Sequence, residues 1–165
     1  MRAVNEKTDM IFLLLYSPGV QDRVNEPIDG RVRLMNGLFL MFKELEFFKE
    51  SYEFVPYLYG PISFDLYSDL AKLIYNGLVV DDKTKEPQAG YYYLTNEGRK
   101  KAKSLFKSLS PEVQKNIKKI KGLINQKSLI RLHNYVRSKY PEYCIEMRIG
   151  RNRKRPNKKS LALNS

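Results

Sequence analysis

Nucleophilic catalysis calls for a serine or cysteine held against a histidine base, and the chain has one histidine, His133, and one cysteine, Cys144. His133 falls between Leu132 and Asn134 on a helical stretch that implies no partner for it, which suits a surface or boundary position. Cys144 lies by the C-terminal tail, outside the context that activates a thiol. One cysteine and one histidine exclude an internal disulfide and fall short of a Cys/His zinc site. Asp65 and Asp69 stand four apart and share a helix face, so they offer a metal two carboxylates, but they read more simply as solvent-facing residues. Asp81-Asp82 opens a hairpin tip, where turn chemistry accounts for it. No phosphate-binding glycine loop is present. The expectation is a protein without an enzyme active site, cofactor or metal.

Charge is the informative feature. The 165 residues carry a net +12, divided unevenly: residues 1–98 sum to −5 and residues 99–165 to +17. An acidic front and a basic back favour a polyanionic partner such as nucleic acid. The plainer alternative is a lysine-rich solvated surface. The longest apolar run, Met10 to Tyr16, is too short to span a membrane, which takes ~20 residues. It follows Glu6 and Asp9, unlike the basic start of a signal peptide. A reducing, cytoplasmic setting fits the lone cysteine.

The elements that position these charges follow from spacing. Thr8 caps a first, buried helix that Ser17-Pro18-Gly19 stops, and a polar connector follows. Val32, Met35, Leu38, Phe39, Phe42 and Leu45 recur at helical steps on a second helix starting near Arg31, with Gly37 in its middle. Residues 52–59 suit an edge strand or extended loop around Pro56. Gly60-Pro61 leads into a third helix with Ile62, Leu66, Leu70, Leu73 and Ile74 inward, ended by Asn76-Gly77. Leu78–Val80 and Tyr91–Leu94 form a hairpin whose tip runs from Asp81 to Gly90. Thr95 caps a fourth helix and Ser110-Pro111 starts a fifth, while a sixth ends before Pro141.

This order predicts a mainly α domain with a small β-hairpin: a winged helix-turn-helix with extra C-terminal helices over residues 1–146, and a flexible basic tail over 147–165. In such domains the third helix commonly enters the DNA major groove. Here that helix offers Ser63, Ser68, Lys72 and Asn76, but Asp65 and Asp69 oppose phosphate. Better cationic candidates lie further on. Arg99, Lys100, Lys103 and Lys107 are expected to spread around the fourth helix, and Lys115, Lys118 and Lys119 to lie together on the fifth. Arg151, Arg153, Lys154 and Arg155 stand in the tail, an arm of the kind that tracks phosphates. Each lysine face also reads as a solvated surface; the tail is too dense in like charge for that. Tyr52, Tyr57, Tyr59, Tyr67 and Tyr91 to Tyr93 are expected to pack rather than to stack on bases.

The segments Gly30-Arg31-Val32-Arg33-Leu34, Tyr57-Leu58-Tyr59-Gly60-Pro61-Ile62-Ser63, Gly77-Leu78 and Tyr140-Pro141-Glu142-Tyr143 resemble those of the YwgA-like proteins, a bacterial and archaeal winged-helix family. The resemblance runs from Thr8 to Tyr143. A related Tyr-Gly-Pro turn occurs in Panacea-type antitoxins. The chain departs from the family pattern at Met35-Asn36, where a Gln-Lys pair is usual. The resemblance implies the fold and a DNA-linked or regulatory role, with no catalytic residues. Two functions follow as expectations. The first is a DNA-binding or DNA-associated regulator, a homodimer bound to duplex DNA mainly through the basic helices and tail. The second is a protein-interaction module, antitoxin- or adaptor-like, that does not read DNA sequence.

Overall fold

Apolar residues fill five successive positions from Leu38 to Phe42, so a helix through them has no side to turn to water. In the computed structural model, which describes residues 6–84 and 90–145, this helix, α2 (Arg31–Glu44), is buried continuously from Leu34 to Met41. The expected single stripe is therefore too narrow, since Leu34, Leu40 and Met41 are buried as well. Helix α1 (Asp9–Tyr16) is likewise buried from Asp9 to Leu15. It packs on α4 (Asn96–Ser108), while α5 (Pro111–Gln126) packs on α2. Gly37 has its reason here: a methyl on it would lie 2.7 Å from Ile124 Cδ1 and 2.8 Å from Leu14 Cδ2.

The remaining helices are α3 (Phe64–Tyr75) and α6 (Leu129–Lys139), with short 3-10 turns at Glu46–Phe48 and Pro141–Tyr143. The side chains of Ser63, Thr95, Ser110 and Ser128 each accept an N–H three residues on, at the starts of α3, α4, α5 and α6. Thr8 makes no such bond, contrary to expectation; the Asp9 carboxylate instead accepts the Glu6 N–H at 3.2 Å.

The sheet has three antiparallel strands rather than a bare hairpin: β1 (Ile28–Asp29), β2 (Val79–Asp82) and β3 (Tyr91–Leu94), in the order β1-β3-β2. β1 falls in the stretch expected to be a connector. Asp81 and Asp82 belong to β2 and not to the tip, pairing with Tyr92 and Tyr91. The Tyr92 and Tyr93 hydroxyls donate to their carboxylates at 3.4 and 3.1 Å, which lets two acids stand in a strand that their propensity disfavours. Most of the expected tip, residues 85–89, lies outside the described residues, as does the expected tail over 147–165. Among the described residues no helix is long and apolar enough to cross a membrane.

Two glycines on α4 and α5 separate packing from propensity. A methyl on Gly98 would run into the backbone carbonyl oxygen of Leu78, whereas one on Gly122 meets nothing within 4 Å. Denaturant melts should show Gly98→Ala losing about 1–3 kcal/mol through overpacking. Gly122→Ala should gain up to about 1 kcal/mol through helix propensity. Equal effects of the two would contradict this placement.

Candidate nucleic-acid interface

Arg99, Lys100, Lys103 and Lys107 share one face of α4. At 3.6 residues per turn they occupy roughly 100° of arc, opposite the buried Gly98, Ala102 and Leu105. The expectation that they spread around the helix is corrected accordingly. All four are exposed, and none has an ion-pair partner among the described residues. On α5, Lys115 and Lys119 are exposed in the same way, facing away from Ile117, Ile120 and Ile124. Lys118 differs from them: it forms an ion pair with Asp22. Arg151, Arg153, Lys154 and Arg155 lie outside the described residues.

Between the α4 and α5 cations runs the connector of residues 17–27, and α5 holds it with a polar stripe that the sequence reading missed. Gln114 donates to the Phe106 and Leu109 carbonyls at 2.7 and 3.2 Å, binding the α4–α5 corner. Lys121 is 0 % exposed and donates to the Leu15 carbonyl at 2.7 Å. Asn125 donates to Glu26 at 2.7 Å and to the Pro27 carbonyl at 3.2 Å. The buried Glu26 carboxylate also accepts the N–H groups of Val20 (3.1 Å) and Gln21 (2.6 Å). Asn25 extends the sheet with its side chain, accepting the Leu94 N–H at 2.7 Å and donating to the Leu94 carbonyl at 3.0 Å. Arg33 anchors the far end of α5 by donating to the carbonyls of Ile124 and Lys127. The signal for the stripe was present: Gln114, Lys118, Lys121 and Asn125 recur at helical spacing beside the apolar face.

Helix α3 offers less than expected. Ser63 is buried as its cap, which removes it from the exposed set. Asp69 is buried too, accepting from the Tyr52 hydroxyl at 2.8 Å and lying 3.4 Å from the Lys7 ammonium. Burial, and then that bond to Asp69, pushes the Tyr52 phenol well above its ordinary pKa. Ser68, Lys72 and Asn76 are exposed, with Lys72 3.9 Å from Asp69. Tyr52 and Tyr92 pack in the core, as the tyrosines were expected to do. Tyr57 and Tyr59 do not: with Leu58 and Phe64 they stand exposed at the start of α3. Tyr57 and Phe64 meet edge to face at 6.2 Å.

Two of the segments that carry the family resemblance, Tyr57–Ser63 and Tyr140–Tyr143, border α2. Phe39 of α2 meets Tyr143 at 4.9 Å and Tyr140 at 5.4 Å. Tyr57 bridges to Cys144, and Gly60, at φ +114°, sits against Asn36. Burial raises the Cys144 thiol pKa, the reverse of activation. The His133 Nδ1 is buried with no hydrogen-bond partner among the described residues. The sequence matches no family model and no curated protein.

Lys121 gives stability a pH dependence. Desolvation pulls its pKa from 10.5 down to about 7, against the pull of the Glu26 carboxylate. Between those two values the unfolded chain holds a proton that the folded chain has released, so stability rises with pH through this window and levels off above it. The slope is at most about 1.4 kcal/mol per pH unit. Denaturant titrations of Lys121→Met should lack this component. An unchanged difference between the two proteins from neutral to alkaline pH would contradict it.

Proposed function

We propose that the chain is a winged-helix, DNA-associated regulatory protein of the cytoplasm, acting as a homodimer, with nucleic-acid affinity supplied mainly by α4, α5 and the basic residues beyond Arg148. The element order α1, β1, α2, α3, β2, β3 and the sheet order β1-β3-β2 support the winged-helix reading. So does the resemblance of the Tyr57–Ser63 and Tyr140–Tyr143 segments to YwgA-like proteins. One departure is the long connection, residues 45–63, that stands where a helix-turn-helix has a tight turn. The observation that carries the DNA reading is the exposed arc of Arg99, Lys100, Lys103 and Lys107, uncompensated among the described residues. On α3, by contrast, the exposed start carries Phe64 and Asp65.

A phosphate-driven interaction releases counterions and so depends steeply on salt. In fluorescence anisotropy the full chain should bind duplex DNA at low salt. With six to ten phosphates engaged, affinity should fall by roughly 10³–10⁵ between ~50 and ~200 mM salt. Removing residues 151–165 should weaken binding and lower the salt slope by up to about five, since the segment holds six cations, Arg151, Arg153, Lys154, Arg155, Lys158 and Lys159. No binding at low salt, or binding indifferent to salt, would overturn the reading.

The exposed Tyr57, Leu58, Tyr59 and Phe64 favour a second reading, a protein-interaction module of antitoxin or adaptor type, because aromatic residues of this kind are enriched at interfaces. A stoichiometric partner that co-purifies with the wild type and is lost on Tyr59→Ser/Phe64→Ser would support it. Tight DNA binding with no such partner would remove it.

A further inference from the structure

Two shallow clefts adjoin along the connector of residues 17–27. One, of about 330 Å³, lies between Arg23, Asn25, Tyr93 and Arg99. The other, of about 470 Å³, lies between Tyr16, Asn96, Arg99, Lys100 and Lys103. They share Val24 and Arg99, and no carboxylate lines either one. Of the acids next to lining residues in sequence, Glu97 lies about 160° around α4 from Arg99, Glu26 is buried, and Asp22 is paired with Lys118. A single anion needs only one such cleft. Two joined clefts, the first with the Arg23 and Arg99 guanidinium groups and the second with Arg99 again and the Lys100 and Lys103 ammonium groups, fit an anion that repeats along a chain.

Arg23 was not among the cations singled out from sequence, because nothing in a polar connector marks one residue as fixed. The structure fixes it. Asp22 and Asn25, at φ 53° and 58°, flank it in the left-handed region that non-glycine residues seldom adopt. Asp22 is held by Lys118, Asn25 by Leu94 and by its own N–H to the Tyr16 carbonyl at 2.8 Å, and the residues before them by Glu26. Arg23 itself is exposed, with no ion pair or hydrogen bond among the described residues. A guanidinium carried on a loop already ordered loses less entropy on binding than one on a free loop.

We propose that the connector and the first two turns of α4 form a groove for the phosphodiester backbone of nucleic acid, with Arg23 and Arg99 at its centre and Lys100 and Lys103 extending it. This rests on the DNA-associated reading above and adds a site to it. Pairing of Lys118 with Asp22 is then a positioning contact for Arg23, in place of the direct phosphate contact expected of it.

The test compares two double variants of the full chain, each lacking two exposed cations, in anisotropy titrations with a labelled duplex of about 20 base pairs. Arg23→Ala/Arg99→Ala should weaken low-salt binding roughly tenfold or more and lower the salt slope by about two. Lys49→Ala/Lys72→Ala, with the same net charge, should change affinity by less than about threefold. Thermal melts of both variants, whose altered side chains are exposed, should match the wild type. Equal weakening by the two variants, or wild-type binding by the first, overturns the groove while leaving the DNA reading in place. Displacement of the duplex by millimolar inorganic phosphate at matched ionic strength marks a single-anion pocket and also overturns it. Absence of wild-type binding overturns the DNA reading itself, and the groove with it.

Discussion

The arrangement depends on how the chain crosses from α1 to β1. The carbonyl of Leu15 sits at the end of α1 and the N–H groups of Val20 and Gln21 lie just beyond it, all without helical partners, and a buried unpaired backbone group is costly. Lys121 takes the carbonyl and Glu26 takes the two N–H groups. Asn125 joins Glu26 to α5. An amine and a carboxylate are thus buried to complete a backbone, and α5 is tied to the end of α1 and to the connector by polar bonds of fixed geometry. Without that tie the connector would be a loose surface loop, and the α4 and α5 cations would have no fixed relation to Arg23.

The charge asymmetry acquires a structural meaning on this scaffold. Many acids of the front half are engaged within the fold: Asp69 by Tyr52 and Lys7, Asp81 and Asp82 by tyrosine hydroxyls, Glu26 by backbone, Glu44 by Lys139 at 2.7 Å. That last pair, with its hydrogen bond, raises the Lys139 pKa. Among the described residues most cations of α4 and α5 have no such partners, so the basic half gives up less of its charge to internal pairing.

Two helix starts were legible because a capping side chain is a local device: Thr95 and Ser110 can be placed from a few residues each, whereas the cap expected at Thr8 is not made. The sheet was legible only in part. β1 spans two residues, Ile28 and Asp29, and its neighbour Asn25 completes the pairing with a side chain, which no alternation pattern records. Asp81 and Asp82 read as a turn because their tyrosine partners lie across the hairpin. Nothing in the sequence singles out Lys121, because composition does not separate a charge facing water from one facing a carbonyl. The same blindness hid Arg23, whose role comes from neighbours distant in sequence, and left Ser63 among the exposed residues when its cap role buries it. The α4 cations were found from sequence, but their gathering on one face required the helix register.

Nucleic acid is proposed to meet this protein on the α4, connector and α5 side and not through α3. Lysine acylation read by mass spectrometry, with and without saturating duplex DNA, measures this residue by residue. DNA is expected to shield Lys100, Lys103, Lys107, Lys115 and Lys119, while Lys72 on α3 and Lys49 label as in the free protein. Shielding of Lys72 with Lys100 and Lys103 unchanged would contradict it.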